Sequence, residues 1–196
     1  MRVVRQFRFL VLLFAVLAAT VVAAVAQDQP ARSTPARPEL AATYSYLRSN
    51  APPGSCACFN LNGGSGTFAW PLGGHGFALA GDVTVAHAGG ISAGGYGLTL
   101  SSYTAGVRYT PPLGHSPLQL YGQALAGLAH GSGSLVQAED AGAAFALNAG
   151  GGVTLQASRR FSVRLAEADY LLTTFDNGSN NHQNNLRISS GLVLRF

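Results

Sequence analysis

Charge is the scarcest commodity in this chain. Asp, Glu, Lys and Arg make up 10% of its 196 residues, against about 25% in ordinary soluble domains. A soluble fold covers itself with charge. A chain whose outer surface faces lipid has little room for it, because a cationic side chain at the middle of that face costs about 2–4 kcal/mol. All 12 basic residues are Arg, set against 8 acidic ones. Three of the Arg (Arg2, Arg5 and Arg8) lie in the first eight residues, so the remainder is nearly neutral and offers no basic surface for nucleic acid. Cysteine is almost absent as well, with only Cys56 and Cys58 present. That excludes a disulfide-built scaffold, and zinc does not fit a single pair without companion His or Cys residues. After residue 26 no apolar run approaches the ~18 residues of a membrane-spanning helix, which excludes a helical membrane protein.

What the chain does have begins with an export signal. Arg2, Arg5 and Arg8 precede an apolar run from Phe9 to Val25, and Ala24-Val25-Ala26 supplies the small residues of a cleavage site. Residues 1–26 are expected to be a cleaved signal peptide, and residues 27–38, with three prolines, a disordered periplasmic lead-in. Residues 39–196 then form one domain. In an exported protein Cys56 and Cys58 would meet an oxidising compartment, where a bridge across one residue would be a tight, strained clip. Neither cysteine adjoins the cleavage site, so no lipid anchor is indicated.

Within residues 39–196, apolar and polar side chains alternate in eight segments, near 39–47, 58–70, 75–86, 98–110, 117–129, 143–157, 161–174 and 184–196. Each approaches the ~9–11 residues that a tilted strand needs to cross a bilayer. In the last segment Leu186, Ile188, Leu192, Leu194 and Phe196 share one face, while Asn185, Arg187, Ser189, Gly191 and Arg195 share the other. Short connections near 71–75, 111–116 and 157–160 are expected to alternate with longer Gly-, Ser- and Asn-rich ones near 48–57, 87–97, 130–142 and 175–183. That is the asymmetry of a barrel with periplasmic turns and external loops.

One strand breaks phase. Phe161, Val163 and Leu165 share a face, but continuing that alternation would place Glu167 and Asp169 in lipid. A bulge near Leu165-Ala166 is therefore predicted, turning both carboxylates inward and Tyr170 and Leu172 outward. Glu39, Asp82, Arg108, Arg164, Glu167, Asp169, Arg187 and Arg195 then become candidates for an ionic network in the lumen, where pairing offsets desolvation. The aromatic residues Tyr44, Tyr46, Trp70, Tyr103, Tyr109, Tyr121, Tyr170 and Phe196 are expected in interfacial girdles.

The segments Ala168-Asp169-Tyr170-Leu171-Leu172-Thr173 and Asn184 to Phe196 resemble those of small OmpA-like outer-membrane β-barrel proteins. The resemblance implies an all-β, eight-stranded antiparallel up-and-down transmembrane β-barrel in the outer membrane of a Gram-negative-type bacterium. It also implies that Phe196 is the signal read by the barrel-assembly machinery. No periplasmic domain is expected after Phe196, so the peptidoglycan role of longer members is not expected to carry over.

The expected function is non-enzymatic, structural or surface-interacting through external loops, with the lumen filled by side chains. Outer-membrane lipid and the assembly machinery are the expected partners, and the chain is expected to be a monomer. No catalytic, cofactor or metal set is assigned. Two alternatives stay open. His130-Gly131-Ser132, followed by Glu139 and Asp140, has the residue types of an acyl-transferring triad and is similar to the His-x-Ser of eight-stranded lipid A deacylases. A secreted lipocalin-like carrier would also have eight strands, with its apolar faces turned inward. The single histidines His75, His87, His115 and His182 fall in predicted turns or loops and are expected to be solvated.

Overall fold

The computed structural model of the chain describes residues 37–50, 58–73, 75–91, 95–113, 116–134, 142–176 and 181–196. Eight strands, β1 (Glu39–Ser49), β2 (Phe59–Pro71), β3 (Phe77–Ile91), β4 (Tyr96–Tyr109), β5 (Leu118–Ser132), β6 (Ala143–Gln156), β7 (Phe161–Thr173) and β8 (Gln183–Arg195), follow one another round a closed antiparallel barrel. β8 closes on β1 through an unbroken register from Glu39↔Arg195 to Ser49↔Asn185. Closure leaves no unpaired strand edge, which is the condition for a sheet to stand in hydrocarbon. No helix among the described residues is long and apolar enough to cross a membrane.

The side-chain polarity is inverted relative to a soluble protein. Leu79, Val83, Val85, Leu128, Ile188 and Leu192 face outward and are exposed, while Arg164 and Arg187 are each 1% exposed. Every strand contributes to this inversion through its two-residue period. A soluble carrier would show the reverse, with an apolar cavity and a charged exterior. Aromatic side chains ring the outside. Phe68 meets Trp70 with ring centroids 6.1 Å apart, and Phe77 meets Tyr109 at 4.8 Å.

The two ends of the barrel differ in their connections. At the end that holds the start of β1 and the finish of β8, the links span residues 72–76, 110–117 and 157–160; we call this the turn end. At the opposite, loop end they span 50–58, 92–95, 133–142 and 174–182. The expected long link at 87–97 is shorter than the pattern suggested, because β3 continues to Ile91 and β4 begins at Tyr96. An irregularity between Ala88 and Ile91 absorbs the change of direction, with Gly90 at φ +69°, a conformation that L side chains rarely adopt. His87 is consequently an outward-facing strand residue, not a loop residue.

The predicted bulge is present. Arg164 pairs with Gly191 and Glu167 with Ser189, leaving Leu165 and Ala166 together opposite Ser190. Both bulged side chains are exposed, and the phase beyond them is reset: Glu167, Asp169 and Leu171 point in, Ala168 and Tyr170 point out. Ser190 Oγ donates to the Arg164 carbonyl at 3.0 Å across the irregularity. Without the extra residue, two carboxylates would face lipid at a cost of several kcal/mol.

Candidate functional site in the barrel lumen

The lumen has two storeys. The turn-end and central part is ionic. At its heart the Arg187 guanidinium reaches three carboxylates on two strands: Asp82 Oδ1 on β3 at 2.7 Å, and Glu167 Oε1 at 3.0 Å and Asp169 Oδ2 at 2.6 Å on β7. It also donates to Thr84 Oγ1. Arg164 Nη1 pairs with the other oxygen of Glu167 at 2.8 Å and donates to Thr67 Oγ1 at 3.1 Å. Nearer the turn end, Glu39 joins Arg195 at 2.8 Å and Arg108 at 3.7 Å.

Gln123 on β5 links the two groups. Its Oε1 accepts from Arg108 Nη2 at 2.8 Å, and its Nε2 donates to Asp169 Oδ1 at 3.3 Å. Tyr121 makes a second link, donating to Glu167 while its ring lies 4.4 Å from the Arg108 guanidinium and 5.1 Å from that of Arg164. Four Arg and four carboxylates thus form one cross-braced assembly touching β1, β2, β3, β4, β5, β7 and β8. Desolvation at these depths is severe, so each charge is held by more than one partner.

All eight residues read from the sequence as lumen candidates point inward and take part in ion pairs. Gln119, Tyr121, Gln123, Thr67 and Thr84 complete the assembly. Tyr121 was expected in an outer girdle; it is 8% exposed and sits inside. Its parity gives the reason. Gln119, Tyr121, Gln123 and Leu125 share one face of β5, while Leu118, Ala124, Ala126 and Leu128 share the lipid face. Room for the ring comes from Gly152 on β6, where a Cβ would stand 2.6 Å from Tyr121 Oη and 2.7 Å from the Ala166 carbonyl oxygen.

Beside the ionic assembly runs a ladder of small hydroxyls. Thr43 Oγ1 and Ser65 Oγ are 2.6 Å apart, and Ser45 Oγ joins Ser65 at 3.0 Å and Ser189 at 2.9 Å, stitching β8, β1 and β2 from within.

The loop-end storey is apolar. Leu47, Leu61, Ile91, Leu100 and Leu171 converge with Ala86, Ala88, Ala129 and Ala146, and Phe59, Leu98 and Phe175 pack against them. Leu47 and Leu61 are wholly buried. Hydrocarbon here closes the lumen that charge fills below.

His130 and Ser132 share the outward face of β5, with Gly131 turned inward between them. No hydrogen bond joins them among the described residues, and Glu139 and Asp140 lie outside those residues. Cys58 is exposed just ahead of β2; Cys56, and with it the expected Cys56–Cys58 clip, also lies outside the described residues, as does His115. Phe196 faces outward past β8, its amide donating to the Pro38 carbonyl at 3.1 Å. Among the described residues no group of three or more His, Cys, Asp and Glu side chains is arranged to hold a metal ion.

An eight-stranded closed barrel with a lipid-matched exterior and an ion-paired interior has the architecture of the small outer-membrane β-barrels. The solved structure of Neisserial surface protein A, NspA, is similar, with 16% identity and a TM-score of 0.61 over 81% of this chain and 97% of that one. So is Ail, the attachment invasion locus protein of Yersinia pestis, with 17% identity and a TM-score of 0.54 over 82% of this chain and 100% of that one. At such identities the likeness is one of fold. No protein-family model matches the sequence, and no curated protein matches it.

Proposed function

We propose that the protein is a monomeric barrel of the outer membrane of a Gram-negative-type bacterium, with a structural or surface-interaction role exercised at its loop end and no catalytic role. Outer-membrane lipid is its surrounding partner, and the barrel-assembly machinery handles it during biogenesis. The observation that carries this reading is the lumen. An ionic brace and an apolar plug lie in series along the axis, so neither a hydrated ion nor an apolar solute has a continuous favourable path. With the interior given to packing, the surfaces left for interaction are the loop end and the outer wall. The hydrolase reading gains nothing from the arrangement of His130 and Ser132, because a nucleophile must stand within hydrogen-bond reach of its base.

The test is expression of the full chain on the surface of a bacterium that lacks it, beside a variant whose loop-end connections are cut to short turns. Both proteins should migrate differently on a detergent gel before and after boiling, and only the complete one should change the adhesion of the cells. Recovery of an unshifted protein from the periplasm or medium would overturn the membrane assignment. Hydrolysis of a lipid acyl ester that is lost in Ser132→Ala would overturn the non-catalytic one.

A further inference from the structure

The outward faces of the eight strands carry no carboxylate, since Glu39, Asp82, Glu167 and Asp169 all point into the lumen. Apart from the girdle tyrosines, Trp70, and Asn184 and Ser190 on β8, the polar groups of the outer wall lie on β1 to β5 toward the loop end. The register Tyr46↔Asn62, Asn62↔His87, His87↔Thr99 and Thr99↔Ser132 draws one row across β1 to β5 in which every outward side chain can form hydrogen bonds. Arg48 stands just above this row and His130 just below it.

The height of His87, at the middle of the row, can be placed. His87 lies ten residues beyond Phe77 on β3. At ~3.3 Å per residue and a strand tilt of ~40°, that is about 25 Å up the wall, the height of the apolar band of such barrels. The same climb on β7, from Phe161, reaches Leu172, and β6 still presents Phe145 near its loop end. The β1–β5 side therefore offers donors at the level of the outer headgroups, while β6 and β7 are still apolar there.

The row is also preorganised. Arg48 Nη1 is fixed on Asn60 Oδ1 at 2.6 Å, His87 Nδ1 is 2.9 Å from Thr99 Oγ1, and Tyr44 Oη donates to Asn62 Oδ1 at 2.6 Å. These bonds orient the side chains and leave the rest of the Arg48 guanidinium and the Asn62 amide NH2 to donate outward, with His87 Nε2 also facing out. An arginine and imidazoles with no carboxylate beside them on the outward strand faces match an anionic, oxygen-rich partner, and a phosphate takes charge-assisted bonds from a guanidinium in fork geometry.

We infer that the β1–β5 arc centred on Arg48, His87 and His130 is a docking surface for the phosphorylated sugar headgroup of an outer-leaflet glycolipid. This rests on the membrane reading above. It adds a side to the barrel, with a phosphoglycolipid held on β1–β5 and ordinary lipid tails against β6–β7.

The test uses the full chain folded into phosphatidylcholine vesicles that contain a minor fraction of a bisphosphorylated diglucosamine lipid or its dephosphorylated counterpart. The protein is then extracted in mild detergent and the retained lipid counted by native mass spectrometry. The phosphorylated form should be retained about tenfold over the dephosphorylated one, and the triple variant Arg48→Gln, His87→Gln, His130→Gln should remove most of that preference. Equal retention of the two lipids, or an undiminished preference in the triple variant, overturns the inference. If the triple variant does not give the heat-dependent gel shift, the single Arg48→Gln change, which touches no lumen residue, must still lower retention of the phosphorylated lipid. Failure of the membrane reading appears separately, as a wild-type chain that inserts in neither vesicle and shows no shift.

Discussion

The two storeys of the lumen solve one packing problem by opposite means. Towards the turn end the interior is filled by long charged side chains that reach across the axis, each position depending on partners from several strands. Towards the loop end it is filled by Leu, Ile, Phe and Ala, whose contacts are many, weak and non-directional. The ionic storey fixes register, because Arg187 meets its three carboxylates only if β3, β7 and β8 stand at their observed heights. The apolar storey tolerates repacking but not loss of volume. The difference predicts that the same kind of truncation will have unlike consequences in the two places.

The sharpest way to break the comparison is Arg187→Met. It retains most of the side-chain volume and leaves Asp82 and Asp169 without an ion-pair partner in a buried site. A loss of about 3–5 kcal/mol is expected, as for other buried pairs deprived of one member. Denaturant titration of the folded barrel in detergent micelles, read by the heat-dependent gel shift, would measure it. A loss under about 1 kcal/mol would mean that the ionic storey is not organised round this residue.

In the apolar storey, Leu61→Ala removes a fully buried side chain and should cost about 2–4 kcal/mol, set by how far the plug collapses into the space. The informative contrast is in the rescue. Leu61→Met should restore most of the stability, whereas Arg187→Lys should restore little, since an ammonium cannot span carboxylates on β3 and β7 in fork geometry. A plug residue that resisted isosteric replacement would erase the distinction between the storeys.

Tyr121→Phe tests the seam where the ionic groups meet. It deletes one hydroxyl bonded to a charged acceptor and preserves the ring that lies over Arg108 and Arg164, so about 1.5–3 kcal/mol is expected. The same titration would measure it, and the double change with Gln123→Ala should be non-additive, because both side chains connect the Glu39–Arg108 group to the Arg187 cluster.

How much of this was legible beforehand follows from the physics of each feature. Strand number, antiparallel order and the inward placement of charge are written in a two-residue alternation that any lipid-facing sheet must obey. The β7 bulge was readable because the alternative put Glu167 and Asp169 into hydrocarbon, a penalty large enough to decide a register. Tyr121 was not placed from its residue type, since a tyrosine suits a girdle and a lumen equally well; only the parity it shares with Gln119 and Gln123 separates them. The apolar plug escaped because Leu47, Leu61 and Leu171 lie on the face otherwise assigned to polar groups. A leucine on that face has no sequence signature of its own until the strands are brought together. The reach of β3 was underestimated for a local reason, as Gly89-Gly90 has the composition of a loop while its neighbours still pair with β4.

The smallest expected effect tests whether the hydroxyl ladder belongs to the ionic storey or is only filler. Ser45 sits between Ser65 and Ser189, on the strand pair that closes the barrel. Replacing it with Ala removes two neutral hydrogen bonds and little volume. If the ladder is independent of the charged assembly, Ser45→Ala should cost about 0.5–1.5 kcal/mol, the net worth of one buried neutral hydrogen bond, since Ser65 keeps its bond to Thr43, and its effect should add to that of Arg187→Met within about 0.5 kcal/mol. Arg187 and Ser189 are inward neighbours on β8, however, and Ser45 holds the second of them. A cost that shrinks in the Arg187→Met background would mean that the ladder's contribution depends on the charge beside it. The boundary between directional and non-directional packing would then run between Ser45 and Leu47, which follow one another on the inner face of β1.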